Sequence, residues 1–186
     1  SLFEDRVVYE AGLSEGIEQG ALVPFRYFGL RDTVDYEPIP WRSGRFDPDE
    51  LMEAVQTQSR LERLWQAWRR HPGSRTLVFC CSIAHATQMR QWLEDRSVRA
   101  RAVHSGPGAD DRITSLEALE RGDIDAVCAV DLLNEGVDLP AVDRVVMLRP
   151  TGSRVVFLQQ LGRGLRTSPD TGKSDLCVID FVGNHA

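Results

Sequence analysis

A short segment near the C-terminus holds the residues best suited to handling a phosphate group. Arg163 and Arg166 lie three residues apart in the run from Gln159 to Arg166. On a helix, residues three or four apart share a face, so both guanidinium groups would point the same way. Arginine stays charged and can hold phosphate oxygens through paired hydrogen bonds. The segment therefore predicts a phosphate-binding helix face, although by itself it equally fits two surface arginines near a helix end.

The same run contains two glycines, Gly162 and Gly164. Each disfavours a helix interior by up to about 1 kcal/mol relative to alanine. Their presence indicates a close backbone approach or a helix end. Gly162 shares the predicted helix face with Gln159 and with both arginines, so these residues form one candidate site.

A second segment, Asp131 to Pro140, follows an apolar run that is typical of a buried strand. Gly136 permits a tight backbone turn. Asp138 would place a carboxylate at the carboxyl end of that strand. There it could accept a hydrogen bond from a ribose hydroxyl or orient an arginine; the alternative is a loop aspartate that caps a turn.

Small and hydroxyl-bearing residues end two further predicted strands. Ser82 follows the first strand, and His104, Ser105 and Gly106 follow the second. The two serine hydroxyls and the backbone amide of Gly106 are suited to contacting nucleic-acid phosphates. Ser82 equally fits a helix cap, and His104 alone is a weak indicator of catalysis.

These residues must be positioned by a regular alternation of strands and helices that begins near residue 75. Apolar runs of strand length alternate with helical segments of about ten residues, which is typical of a parallel sheet covered on both faces. Ligands of such sheets meet the loops at the carboxyl ends of the strands. The predicted strands are 76–81, 98–103, 124–130, 142–148 and 176–181, and the predicted helices are 84–93, 111–119 and 153–165.

The residues upstream of this alternation are predicted to be a connecting segment, 1–46, followed by one domain, 47–186. The connecting segment contains two strand-like runs, at residues 7–9 and 22–28, and Pro24 in the second favours an edge strand. Asp47 is predicted to cap a helix that follows. The arginines of that helix are interpreted as a solvated face rather than a nucleic-acid patch; they are Arg60, Arg63, Arg69 and Arg70.

The composition is that of one ordinary globular domain of 186 residues, with a net charge of −6. This negative net charge argues against a domain that binds nucleic acid through an overall positive charge. No apolar run reaches the roughly 18 to 20 residues that a membrane span needs, so no membrane contact is predicted. The four cysteines form no C-x-x-C pair and fit buried free thiols in a reducing cytoplasm, with no metal site.

In this order and spacing, the three segments resemble the second, C-terminal motor domain of superfamily 2 helicases. Residues 76–86 look like motif IV, 130–140 like motif V, and 159–166 like the Q-x-x-G-R-x-x-R form of motif VI. The resemblance implies a RecA-like α/β three-layer sandwich with a mainly parallel sheet. It implies arginine fingers that face the γ-phosphate, with Arg166 the stronger candidate. It further implies that the ATP-binding residues are Gly136, Asp138, Gln159 and Gly162.

Two positions distinguish subgroups of that family. Residue 130 is valine where DEAD-box RNA helicases usually carry threonine, and residue 159 is glutamine where they usually carry histidine. The chain looks more like DNA translocases of the restriction-subunit and repair type, so DNA, and double-stranded DNA in particular, is favoured over RNA. The departure at Val130 weakens the case for a side-chain phosphate contact there. The implied nucleic-acid contacts are Ser82, Ser105, Gly106, Val130 and Asp131.

The sequence lacks a phosphate loop of the form G-x-x-x-x-G-K-[ST], and no strand carries an acidic D-E box. Gly172-Lys173-Ser174 mimics the end of such a loop, but residue 167 is threonine. ATP and Mg²⁺ are therefore expected to be held by a missing N-terminal motor domain, and this fragment alone is expected to be inactive. The alternatives are a catalytically inactive docking module, an RNA helicase domain or an unrelated α/β enzyme.

Overall fold

The computed structural model describes residues 23–43, 45–130, 138–150 and 166–182. The predicted strand at residues 7–9 and the predicted helix over 153–165 lie outside these ranges. Within them, no helix is long and apolar enough to cross a membrane.

In the part of the chain that the structure describes, six parallel strands form the central sheet. Their order is β1-β8-β7-β4-β6-β5, and every neighbouring pair is parallel. Two short strands, β2 and β3, pair as a separate antiparallel hairpin. The strands are β1 (Phe25–Arg31), β2 (Trp41–Arg42), β3 (Arg45–Phe46), β4 (Thr76–Phe79), β5 (Ala100–Val103), β6 (Ala126–Ala129), β7 (Arg144–Met147) and β8 (Leu176–Val182).

Helices cover both faces of this sheet, because its strands are apolar on both sides. Along β4, Leu77 and Phe79 face a core that includes the helix Arg112–Arg121, whereas Val78 faces a second core that includes the helices Gln58–Arg70 and Ile83–Glu94. The predicted α/β sandwich with a parallel sheet is therefore confirmed. The helices are α1 (Pro48–Val55), α2 (Gln58–Arg70), α3 (Ile83–Glu94) and α4 (Arg112–Arg121).

Local sequence signals set the ends of these helices. The Asp47 carboxylate accepts hydrogen bonds from the backbone amides at the start of α1, as predicted. Asp111 caps α4 by accepting from the amide of Thr114 at 2.8 Å. Gly122 ends the same helix with a φ of 81°, a left-handed conformation that glycine adopts without strain.

The structure differs from the sequence interpretation in three places. β1 is the edge strand that Pro24 favours, but it extends through Arg31 and pairs with β8, so part of the predicted connecting segment belongs to the sheet. The helix predicted from Asp47 is two helices, separated at Gln56 and Thr57. The interpretation of Arg60 as solvated is wrong, since it is only 6 % exposed. Arg60 shares a helical stripe with Leu64, Ala67 and Trp68, and this stripe faces the core.

A second buried arginine, Arg144 at the start of β7, fixes the C-terminal end of α2 to the sheet. Its guanidinium donates to the carbonyls of Trp68 and His71 at 3.1 and 2.9 Å, and to the Thr76 hydroxyl at 3.0 Å. It also lies 3.8 Å from the centroid of the Trp68 ring. Burial lowers the pKa of Arg144 to about 10, so the charged form depends on these contacts for its stability.

Replacing Arg144 by alanine is expected to lower the free energy of unfolding by about 2–4 kcal/mol, because buried carbonyls lose their donor. Equilibrium urea unfolding measures this loss. Arg121→Ala is the matched control: its side chain is 61 % exposed, so its surface ion pairs should contribute less than about 1 kcal/mol. Equal stability losses in the two variants would contradict the anchoring role of Arg144.

Candidate nucleotide and nucleic-acid site

The parallel sheet brings the predicted nucleic-acid residues to one edge. β4, β6 and β5 are adjacent, and their last residues, Phe79, Ala129 and Val103, are register partners. Three candidates follow these ends and therefore lie at the carboxyl edge of neighbouring strands; they are Ser82, Val130 and Ser105.

Ser82 caps α3. Its hydroxyl oxygen accepts from the backbone amide of His85 at 3.2 Å, and the residue is only 8 % exposed. This is the capping alternative that the sequence left open. A phosphate contact by Ser82 stays a prediction.

The loop after β5 packs closely on the start of α3. A Cβ atom added at Gly106 would lie 2.9 Å from Ile83 Cδ1, the far end of an exposed side chain that can move aside. The Gly106 amide donates to His104 Nδ1 at 3.1 Å, so contact with a phosphate would require this amide to exchange partners. Ser105, between them, is exposed.

An ion pair joins the second and third candidate segments. Arg166 Nη1 donates to Asp138 Oδ2 at 2.9 Å, and the two side chains are 63 % and 48 % exposed. The contact is compatible with the predicted role of Asp138 in orienting an arginine, and that role stays a prediction. Because the pair is exposed, it can exchange for a ligand without uncovering a buried charge.

Lys173 strengthens the same junction through the backbone. Its ammonium group donates to the carbonyls of Pro140 and Arg166 at 2.9 and 3.3 Å. Burial lowers the pKa of Lys173 to about 8. The Gly172-Lys173-Ser174 sequence that mimics a phosphate loop lies next to a 3₁₀ turn, Pro169–Thr171, and its lysine holds two chain segments together.

The other candidates lie outside the described residues. They are Asp131, Gly136, Gln159, Gly162 and Arg163. Their predicted roles remain predictions.

A buried ion pair beneath the carboxyl edge was missed by the sequence interpretation. Arg60 Nη2 lies 3.2 Å from Asp32 Oδ2, and both side chains are almost fully buried. The guanidinium also donates to the carbonyls of Val55 and Leu148, at 3.1 and 3.3 Å, and stacks 4.0 Å from the ring centroid of Phe181. The position of Arg60 on the apolar stripe of α2 was the only sequence signal for this contact.

His85 and Cys81 complete this buried layer. The backbone amide of Cys81 donates to His85 Nδ1 at 3.2 Å. Burial, aided by the charge of Arg60, lowers the pKa of His85 to about 4. Burial also raises the pKa of the Cys81 thiol to about 12. Both groups are therefore neutral at pH 7 and support the loop that leads to Ser82.

Within residues 23–43, 45–130, 138–150 and 166–182, no group of three or more His, Cys, Asp or Glu residues is arranged to hold a metal ion. All four cysteines lie in these ranges and are free thiols. Three are buried, and Cys81 is partly exposed.

Residues 56–168, more than half of the chain, match the model of the helicase conserved C-terminal domain. A fragment of a putative HsdR subunit of a type I restriction enzyme from Vibrio vulnificus has a similar structure, with a TM-score of 0.67 and 26 % identity. That similarity covers 92 % of this chain and 34 % of the fragment.

Two curated proteins show the same relationship in sequence. The putative ATP-dependent helicase IRC3 of Saccharomyces cerevisiae is 24 % identical over 98 % of this chain and 27 % of its own length. The UvrABC system protein B of Pseudothermotoga lettingae is 32 % identical over 77 % of this chain and 22 % of its own length. The chain thus spans about a quarter of the length of these relatives.

The parallel sheet, with the candidate residues at the carboxyl ends of its strands, defines an α/β domain of the RecA-like class. The chain belongs to the helicase conserved C-terminal domain family. The resemblance to the second motor domain of superfamily 2 is confirmed.

The neutral state of His85 predicts a specific pH dependence of stability. Its pKa is about 4 in the folded protein and 6.5 in the unfolded chain. Between pH 4 and pH 6.5 the side chain therefore takes up a proton when the protein unfolds. The contribution of neutral His85 to the free energy of unfolding should therefore be fully present above about pH 6.5. The free energy of unfolding should fall by up to about 3 kcal/mol as the pH approaches 4.

The comparison variant is His85→Gln, which has no titrating group at this position. The difference in unfolding free energy between wild type and variant, measured by urea titration at several pH values, should shrink as the pH falls from 6.5 to 4.5. A difference that is constant across this range would show that His85 is not held neutral.

Proposed function

We propose that this chain is the second motor domain of an ATP-dependent DNA helicase or translocase. It would complete, from one side, an ATP site held by a first motor domain. The observation that carries the proposal is the ion pair between Asp138 and Arg166. It links the two segments that the sequence assigns to the nucleotide, and it holds an exposed guanidinium at the junction.

Arg166 suits the role of an arginine finger. More than half of its side chain is exposed, and Asp138 holds its guanidinium while no phosphate is present. In the closed state, the γ-phosphate of ATP would attract this group more strongly than a single carboxylate does. Charge supplied in this way stabilises the transition state of phosphoryl transfer, by a factor of roughly 10³ to 10⁵ in rate.

The remaining nucleotide contacts follow from the family resemblance. Arg163 would be the second finger, and Gly136, Gln159 and Gly162 would line the nucleotide together with Asp138. The phosphate loop and the acidic box that hold ATP and Mg²⁺ are proposed to belong to the first motor domain. This chain alone should therefore hydrolyse ATP negligibly.

The carboxyl edge of the sheet is proposed to contact the nucleic-acid backbone. The contacts would come from Ser82, Ser105, Gly106, Val130 and Asp131, which follow three adjacent strands. The family resemblance favours DNA over RNA, and double-stranded DNA in particular, because Val130 and Gln159 differ from the residues usual in DEAD-box RNA helicases. The similarity to an HsdR subunit of a type I restriction enzyme supports the same choice.

The protein is further proposed to work in a reducing compartment such as the cytoplasm. Cys80, Cys128 and Cys177 are buried free thiols. Burial raises the pKa of Cys177 to about 11, so this thiol is unreactive at neutral pH. Free thiols of this kind are typical of proteins that are not exposed to oxidising conditions.

The finger hypothesis is tested by DNA-stimulated ATP hydrolysis in the full-length protein. Arg166→Ala is expected to lower kcat by roughly a thousandfold or more, because the transition state loses a positive charge. Arg163→Ala should also lower kcat. Arg121→Ala, which removes an exposed arginine from α4, is the control and should leave turnover unchanged.

Asp138→Asn tests the positioning step separately. Losing the carboxylate leaves Arg166 charged but less well held, so the expected loss of kcat is smaller, up to about 100-fold. Unchanged turnover in both arginine variants would exclude the fingers. DNA binding without any ATP hydrolysis by the wild-type protein would instead favour an inactive docking module.

A further inference from the structure

Lys173 contacts the main chain of both segments that are proposed to complete the ATP site. Its ammonium group donates to the carbonyl of Pro140 at 2.9 Å and to the carbonyl of Arg166 at 3.3 Å. Pro140 lies two residues after Asp138, and Arg166 is the candidate finger itself. The ion pair between Asp138 and Arg166 joins the side chains of the same two segments. Arg166 is therefore held at two points, one on its main chain and one on its guanidinium.

The Pro140 end of this bridge is anchored to the body of the domain. Leu139 and Ala141, on either side of Pro140, are both buried. The amide of Ala141 donates to Glu120 Oε1 at 3.2 Å, which ties the segment to the last turn of α4. The Pro140 carbonyl is thus a fixed point against which a neighbouring segment can be positioned.

A turn in the chain brings Lys173 back to Arg166, seven residues earlier. The chain reverses through the 3₁₀ turn Pro169–Thr171, which ends at Gly172 with a φ of 65°, a left-handed conformation that glycine adopts without strain. Leu176, three residues after Lys173, begins β8 and is fully buried. The sheet therefore fixes the position of the lysine, and the lysine in turn fixes the carbonyl of Arg166.

The chemistry of this contact favours a firm hold on the main chain. A hydrogen bond from a charged donor is roughly twice as strong as one between neutral groups. Lys173 is partly buried, so water reaches the contact less freely than it reaches the exposed ion pair between Asp138 and Arg166. When the Arg166 guanidinium leaves Asp138 for a phosphate, the contact with Lys173 can persist, because it involves only the backbone of Arg166.

We propose that Lys173 is a positioning residue for the arginine finger: it holds the main chain of Arg166 so that the guanidinium reaches the γ-phosphate when the two motor domains close. The inference rests on the proposed function and adds a residue that touches neither ATP nor the reacting atoms. Misplacing a group that acts on the transition state by about 1 Å can cost roughly 100-fold in rate. Binding of ATP by the first motor domain would be unaffected.

The first test measures DNA-stimulated ATP hydrolysis by the full-length protein with the substitution Lys173→Met. Methionine keeps a flexible side chain of similar length but has no ammonium group. We expect kcat to fall by about 10- to 100-fold, while the KM for ATP stays within about twofold of the wild-type value. A raised KM with an unchanged kcat would show that Lys173 binds the nucleotide directly, and it would overturn the positioning role.

Arg99→Met is the matched control, because Arg99 also joins two carbonyls. Its guanidinium donates to the carbonyls of Asp123 and Gly122 at 2.7 and 3.1 Å. Arg99 directly precedes β5 and so lies at the opposite end of the strands from the candidate site. Arg99→Met should leave kcat unchanged. Thermal unfolding of both variants reports any loss of stability, and an equal fall of kcat in the two variants would contradict a specific role for Lys173.

A double-mutant cycle tests whether Lys173 acts through Arg166. In protein that already carries Arg166→Ala, the further change Lys173→Met should lower the rate by less than about twofold, because residues that act as one unit have non-additive effects. Single-turnover hydrolysis of radiolabelled ATP measures these slow rates. The same fold loss in both backgrounds would overturn the proposal. If Lys173→Met does not fold, Lys173→Gln, which is neutral but polar, takes its place in the cycle.

The failure of this inference is distinguishable from the failure of the proposed function. An unchanged kcat in Lys173→Met, together with the expected loss in Arg166→Ala, would overturn the positioning role and leave the finger in place. A wild-type protein without DNA-stimulated ATP hydrolysis would contradict the proposed function, and the positioning role with it.

Discussion

The organisation of this domain depends on one constraint: the six sheet strands within the described residues all run in the same direction. Parallel strands cannot be joined by tight turns, so each connection must cross a face of the sheet. Every strand then delivers the residues that follow it to a single edge. Ser82, Ser105 and Val130 share that edge although they are far apart in sequence.

Two buried arginines fix α2 against this sheet at both ends. Arg144, at the beginning of β7, holds carbonyls at the C-terminal end of the helix. Arg60, in the first turn of the helix, reaches the Leu148 carbonyl just beyond the end of β7. Each guanidinium also stacks on an aromatic ring, that of Trp68 or of Phe181. The helix is thereby held along the length of one central strand, and Asp32 joins the chain after β1 to the same unit.

Much of this fold could be predicted from local sequence signals. Continuous apolar runs identified β4, β6, β7 and β8 because a strand buried on both faces needs apolar residues throughout. Short-range caps were also predictable, since Asp111 and Gly122 act within four residues of the helix ends that they set. These features depend on neighbours in the sequence.

The missed features depend on residues far apart in the sequence. Arg60 looks like a surface residue until Asp32 and Leu148 are brought to it, from 28 and 88 positions away. Sequence alone could not show that Arg166 comes within reach of Asp138, because that contact joins residues 28 positions apart. The hairpin was unpredicted since Trp41 and Phe46 belong to strands of only two residues. Such short strands carry no periodic signal.

Lys173 has one more consequence. It is the only lysine of the chain, and its amine joins the segment around Pro140 to the one around Arg166. With a pKa of about 8, an appreciable fraction of this amine is uncharged, and hence nucleophilic, near neutral pH. Amine-selective acylating reagents would therefore have a single lysine side chain to address in this domain. Their rate of reaction would report how tightly the two segments are held together.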